Sequence, residues 1–261
     1  MSVSPVVLAK EGRTAIITIQ NPPVNVLTDD VRDGLRTCVM AAGDDPEVAA
    51  VIITGGGEKA FMAGANIKGF PDMCGVPGAA YGYARTVYEV WDLIRELPKP
   101  TIAAINGLAL GAGMELALVC DLRVASENAK FGFPEIALGL FPGGGGTQRM
   151  PRLAGAALTK EMAFTGKSVD CDRALQAGFL NAVTPRGGAL NKARELAEAI
   201  GAFSQPVLAL TKAAINGGSG RSEPEGMAVE AALWQEAFMT QDIREGVSAF
   251  LEKRPAVFQD R

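Results

Sequence analysis

The sequence contains no histidine, and that absence narrows its chemistry more than any residue present. Ser-His-Asp and Cys-His catalysis are closed to it, and the commonest metal ligand is missing. If the chain is an enzyme, its acids and bases are carboxylates, lysine, tyrosine, cysteine or backbone groups. Cysteine is scarce as well. Cys38, Cys74, Cys120 and Cys171 show no CxxC spacing, which points to free thiols in a reducing compartment and to no metal site. Blocks of like charge are lacking and the formal net charge is only −4, so nucleic acid is not an expected partner. No apolar run reaches the roughly 18 residues of a spanning helix, and MSVSPVVLAKEGR has no signal-peptide core. No membrane association and a cytoplasmic location are therefore expected. The phosphate-binding GK[ST] is absent, and GGGEKA (55–60) is a loose dinucleotide fingerprint with no clean helix after it, so a Rossmann enzyme is the weaker reading.

What is present suits one sizeable α/β core. A chain of 261 residues, nearly half of them apolar, can bury a core without disulfides. TAIITIQ (14–20) reads as a strand and NPPVN (21–25) as a proline turn. Thr28 is placed to cap a helix through Ala42 with Val31, Leu35, Val39 and Ala42 on one face. VAAVIIT (48–54) has the unbroken apolar character of a strand buried on both faces. Residues 80–97 read as a helix with Val87, Val90, Trp91 and Ile94 inward, and TIAAIN (101–106) as the next strand. LRVASE (122–127) and KFGFPE (130–135) read as a strand pair. Beyond the GGGGTQR segment helices predominate. Asp170 is a candidate N-cap with Gly178 just past the helix end, FLNAVTP (179–185) is the last strand, and 188–203, 206–216, 224–240 and 243–253 are helical. The expected division is a core over residues 1–200 and a helical segment over 201–261.

Within NGLALGAGMELALVCD (106–121), one acid, Glu115, sits in an otherwise apolar run. Leu108–Gly113 reads as a turn and the residues from Leu116 as a buried helix. An unpaired buried carboxylate costs several kcal/mol, so either a partner such as Arg123 or Arg149 satisfies Glu115, or the protein uses it. Gly111, Ala112 and Gly113 keep a backbone corner open to a ligand, and Ala63, Gly64 and Ala65 form a second one. Two converging N–H groups at such corners make an oxyanion hole. Glu115 lies about one turn beyond Ala112, and a second acid in an apolar setting, Glu135, follows in KFGFPEIALG. Two such acids beside a carbonyl clamp suit proton transfer next to a polarised acyl group. Capping or arginine pairing is the plainer use of either acid alone.

In KAFMAGANIKGF, in PTIAAINGLALGAGMELALVCDLRVASENAKFGFPEIALGLFPGGGGTQRMPRLAG and in REGVSAFLEKRPAVF, the sequence resembles the enoyl-CoA hydratase/isomerase (crotonase) family. The resemblance runs over nearly the whole chain. It implies a spiral of repeated ββα units, with the C-terminal helices packing against neighbours in a homotrimer or a dimer of trimers. By the same resemblance, the oxyanion N–H groups fall on Ala65 and Ala112 and the catalytic carboxylates on Glu115 and Glu135. Gly143, after Pro142, matches the glycine shaping the pocket near the acyl group. Lys68, Trp234 and Lys253 fall where CoA is commonly contacted, the last two from a neighbouring subunit. The implied substrate is an acyl-CoA thioester, and the implied reaction is reversible syn hydration of a trans-2-enoyl-CoA, with Glu115 as base and Glu135 as proton donor to Cα. No metal or separate cofactor is implied.

The sequence departs from the family pattern at three places. Asn66 stands where many members carry an acid, Phe133 replaces a glutamine, and Ala112 replaces a glycine. A Δ3-Δ2-enoyl-CoA isomerase, another acyl-CoA lyase or hydrolase, and a non-catalytic CoA-ester-binding protein are the competing readings. Residues 70–84, with Met73 and two tyrosines, are expected to line the acyl end.

Overall fold

A computed structural model describes residues 4–260. The chain begins with an antiparallel hairpin, β1 (Val6–Glu11) and β2 (Thr14–Ile19). From β2 onward the main sheet is parallel, running through β3 (Ala50–Gly55), β5 (Thr101–Ile105), β7 (Leu122–Ser126) and β9 (Ala182–Thr184). A second, three-stranded parallel sheet is built from the segments that follow these strands: β4 (Ala60–Ala63), β6 (Leu108–Leu110) and β8 (Lys130–Gly132). Each turn of the winding therefore supplies a strand to the first sheet, a short strand to the second, and then a helix. These helices are α2 (Ala79–Glu96), α3 (Ala112–Val119) and α4 (Gly146–Ala154). This is the expected ββα repeat.

Burial explains the apolar strands. Ile17, Val51, Ile53, Ala103 and Ile105 point into the large core between the two sheets, where α1 (Asp29–Asp44) and α2 also pack. Their neighbours Ile16, Ile52, Ile102, Ala104 and Val124 point the other way, beneath Ala193 and Ala197 of α7 (Ala189–Gly201). Alternate residues of each strand are thus buried on opposite faces. The Thr28 hydroxyl accepts from Val31 N, and Asp170 accepts from Arg173 N at the start of α6 (Cys171–Gln176), after α5 (Ala156–Thr165). The remaining helices, α8 (Gln205–Gly218), α9 (Glu223–Ala237) and α10 (Asp242–Glu252), lie close to the expected ranges, and α8 packs on α9. Among the described residues, no helix is long and apolar enough to cross a membrane.

Three local expectations change. Residues 122–126 and 130–132 are strands but do not pair, because the repeat sends them to different sheets. Leu108–Leu110 is a strand rather than part of a turn, and α3 starts at Ala112 rather than Leu116, so Glu115 lies in its first turn. The sequence reading also misses β1 and β4. β1 is an edge strand with only Val6 buried, and β4 is four residues long, so neither displays a clear alternation.

Candidate active site

The second sheet ends in register: Ala63 pairs with Leu110, and Leu110 with Gly132. The segments leaving these parallel strands therefore emerge side by side, carrying Gly64–Ala65, Gly111–Ala112 and Phe133–Glu135. Gly111 N donates to Gly132 O at 2.9 Å. A β-carbon on Gly111, whose φ is +51°, would stand 3.6 Å from Gly64 Cα and 2.8 Å from Glu135 Oε1. The first corner is fixed from outside. Ala63 N donates to Val24 O at 3.0 Å, Leu27 N to Gly64 O at 2.9 Å, and Asn66 N to Leu27 O at 2.9 Å. Among the described residues, neither the Ala65 N–H nor the Ala112 N–H meets an acceptor. At Ala112 the cause is general, since the first N–H groups of a helix have no intrahelical partner.

Glu115 is 3% exposed, and what satisfies it is backbone. Its Oε1 accepts from Gly144 N at 2.7 Å and from Gly146 N at 3.0 Å. The segment supplying these amides is itself held by its carbonyls. Tyr88 of α2 donates its hydroxyl to Gly143 O at 2.7 Å. Arg149 donates to Gly144 O at 3.0 Å and pairs with Asp92 at 3.1 Å. Arg123, the other candidate partner, donates instead to the carbonyls of Phe179, Ala117, Cys120 and Asp121. Burial pushes the Glu115 carboxyl up to about 7, against the pull of the Gly146 and Gly144 amides, with the nearby Glu135 raising it further and Arg149 lowering it.

Glu135 lies in a 3₁₀ turn, Pro134–Leu138, directly after the strand that ends beside Gly111. It is half-buried. Its Oε2 is enclosed without a hydrogen-bond partner, and burial raises its pKa above the usual carboxylate value. Two backbone corners with free N–H groups thus adjoin two carboxyl groups that burial disposes to hold their protons above the usual carboxylate range. Such a set can polarise a carbonyl and transfer protons beside it.

The other candidate residues fall into two groups. Pro142 is buried behind the segment, where it and Phe133 back Gly146, while Gly143 is exposed and Ala63 half-buried at the strand end. Lys68, Trp234 and Lys253 are exposed, and no hydrogen bond, ion pair or ring contact links them to the carboxyl groups among the described residues. Lys68 lies in a 3₁₀ turn, Trp234 stacks edge-on against Phe238 in α9, and Lys253 ends α10. Asn66 caps the turn carrying Lys68, its Oδ1 accepting from Lys68 N, which an aspartate would do equally. The fully buried Phe133 ring is spent on packing, and the Glu115 carboxyl draws its donors from Gly144 and Gly146 instead. Sequence reasoning missed Gly144, Gly146 and Tyr88. The GGGG run marked a loop, but nothing in it pointed to Glu115.

Residues 9–261 match the family model described as enoyl-CoA hydratase/isomerase. The chain is 40% identical to the short-chain-enoyl-CoA hydratase of Clostridium acetobutylicum over 255 residues, 97% of each protein. It is 40% identical to the crotonyl-CoA hydratase of Syntrophomonas wolfei over 259 residues, 99% of each. The crystal structure of an enoyl-CoA hydratase from Bacillus anthracis superimposes with a TM-score of 0.92 at 32% identity, covering 98% of this chain and 100% of that one.

Proposed function

The chain belongs to the enoyl-CoA hydratase/isomerase family, and from that premise we propose that it is an enoyl-CoA hydratase. It adds water reversibly and syn across a trans-2-enoyl-CoA to give the 3-hydroxyacyl-CoA. Short acyl chains are its proposed substrates, as the names of the two 40%-identical relatives suggest. The Ala65 and Ala112 N–H groups bind the thioester carbonyl oxygen and stabilise the negative charge that gathers there as the enolate forms. Glu115 takes a proton from water while its oxygen bonds to Cβ, and Glu135 delivers a proton to Cα. Atoms and charge balance without an added cofactor; CoA enters and leaves as part of the substrate. Ala63, Gly111, Pro142 and Gly143 shape the acyl pocket, and Lys68 contacts the CoA portion.

The observation carrying this reading is the juxtaposition of one buried and one half-buried carboxyl group with two unpaired N–H groups beside the ends of neighbouring parallel strands. Purified protein is expected to consume crotonyl-CoA, followed as loss of enoyl-thioester absorbance. Glu115→Gln and Glu135→Gln should each abolish it. Turnover of a 3-enoyl-CoA that survives Glu115→Gln would make the enzyme an isomerase, and binding of CoA esters without turnover would make it a binding protein.

The C-terminal helices, residues 201–261, are proposed as the surface joining copies of the chain into a trimer or a dimer of trimers, with Trp234 and Lys253 reaching CoA bound by a neighbour. An apolar groove of about 600 Å³ between α8 and α10, lined by Phe203, Val207, Leu208, Val247, Phe250 and Phe258, supports this. Sedimentation should give three or six copies; a monomer refutes it. The four unpaired thiols suit the reducing cytoplasm proposed as its location.

A further inference from the structure

One peptide group connects α2 to Glu115. The amide between Gly143 and Gly144 receives the Tyr88 hydroxyl on its oxygen at 2.7 Å and donates its N–H to Glu115 Oε1 at 2.7 Å. The second donor, Gly146 N–H, belongs to the next amide but one, whose oxygen on Gly145 accepts from Gln148 N at 3.0 Å and Arg149 N at 2.9 Å in the first turn of α4. The second donor is therefore polarised and fixed by the helix itself. The first has no helix behind it, and Tyr88 fills that place.

Building on the hydratase reading above, we propose that Tyr88 is a positioning residue for Glu115, acting through the Gly143–Gly144 peptide to hold and polarise the N–H that supports the carboxylate form. An amide accepting on its oxygen donates more strongly from its nitrogen, an effect of about 10–30% per bond. The Tyr88 hydroxyl also fixes the plane of a peptide flanked by glycines, which have the widest conformational freedom. Tyr88 does not touch the reacting atoms. Its effect is on how readily Glu115 exists as a base.

The charged and titratable groups facing this arrangement come from several elements. Glu135 opposes ionisation of Glu115, and Arg149 of α4 favours it. From α2, Asp92 anchors Arg149, and Tyr83 feels the Glu115 charge. Tyr88→Phe removes one hydroxyl and leaves all of these in place.

The test is the pH dependence of kcat/KM on crotonyl-CoA for wild-type and Tyr88→Phe enzyme. The acid limb should move to higher pH by roughly a few tenths of a pH unit, with kcat on that limb falling about two- to threefold and KM nearly unchanged. Superimposable profiles would overturn the proposal. Titration of 13C-labelled glutamate carboxyls, with the Glu115 signal identified by its loss in Glu115→Gln, reads the same change without turnover. Inactivity of the wild type would therefore defeat the hydratase reading, whereas an unmoved Glu115 signal in Tyr88→Phe would defeat this one.

Discussion

Glu115 and Gly144 share one space. Residue 144 donates its N–H to Glu115 Oε1 at 2.7 Å, and a β-carbon on it would stand 2.1 Å from Oε2. Both the amide and the missing side chain of Gly144 are thus required by the same carboxyl group. Gly144→Ala forces either the carboxyl or the 142–146 segment to move by an ångström or more. A displacement of that size costs about 100-fold in rate. Crotonyl-CoA turnover should fall accordingly, while thermal denaturation shows a folded protein. Unaltered kcat would mean that this carboxyl position is not needed.

The raised pKa of Glu115 has a consequence for stability with a definite sign. A free glutamate ionises near 4.5, whereas in the folded protein the group ionises at about 7. Between these values the unfolded chain has lost the proton that the folded chain still holds. Stability therefore falls as pH rises through this window and levels off above it. Each pH unit separating the two values is worth about 1.4 kcal/mol, which makes the loss on the order of 3 kcal/mol. Glu135, also raised, adds in the same direction. Glu245, held down to about 2 by Arg254, acts in the opposite sense and only at lower pH, its contribution being lost as the pH falls toward that value. Urea denaturation from pH 4.5 to 8 should show the decline, and Glu115→Gln, whose amide oxygen can still accept from both glycines, should flatten most of it. Equal slopes in the two proteins would contradict the assignment.

The role proposed for the Ala112 N–H can be tested by replacing its hydrogen with the ring carbon of proline. Ala112 is the first residue of α3, the one helical position where proline is well tolerated because the N–H has no partner in the helix. Ala112→Pro should leave the melting temperature within a few degrees. Loss of one oxyanion donor costs about 100- to 1,000-fold in kcat. A folded Ala112→Pro enzyme with wild-type kcat would remove Ala112 from the mechanism.

How much was legible in the sequence follows from where the information resides. Strands such as 50–55 announce themselves because both faces are buried, and Thr28 and Asp170 announce helix starts by local chemistry. The unusual setting of Glu115 was visible, as was that of Glu135, and resemblance supplied only the division of roles between them. Its actual partners were not visible, because Gly144 and Gly146 are some thirty residues away and satisfy it with backbone amides that carry no residue signature. The misplaced pairing of 122–127 with 130–135 has a similar origin. Local pattern identifies a strand, but only the repeat decides which sheet it joins.

Gly113 gives a prediction in which packing opposes intrinsic propensity. It lies in the first turn of α3, where alanine would favour the helix by about 1 kcal/mol. A β-carbon there would stand 1.8 Å from the carbonyl oxygen of Met62 in β4, and backbone cannot swing aside as a side chain can. The clash exceeds the propensity gain, since overpacking a tight contact costs about 1–3 kcal/mol and more where no rotamer relieves it. Gly113→Ala should therefore lower the urea midpoint markedly. It should also reduce turnover, because the displaced helix carries both the Ala112 N–H and Glu115. Gly69→Ala is the matched control: its β-carbon would meet nothing within 4 Å and its backbone is not left-handed, so its midpoint should stay at or slightly above the wild-type value. If Gly113→Ala were as stable as that control, the close approach of α3 to β4 would not constrain the fold as described.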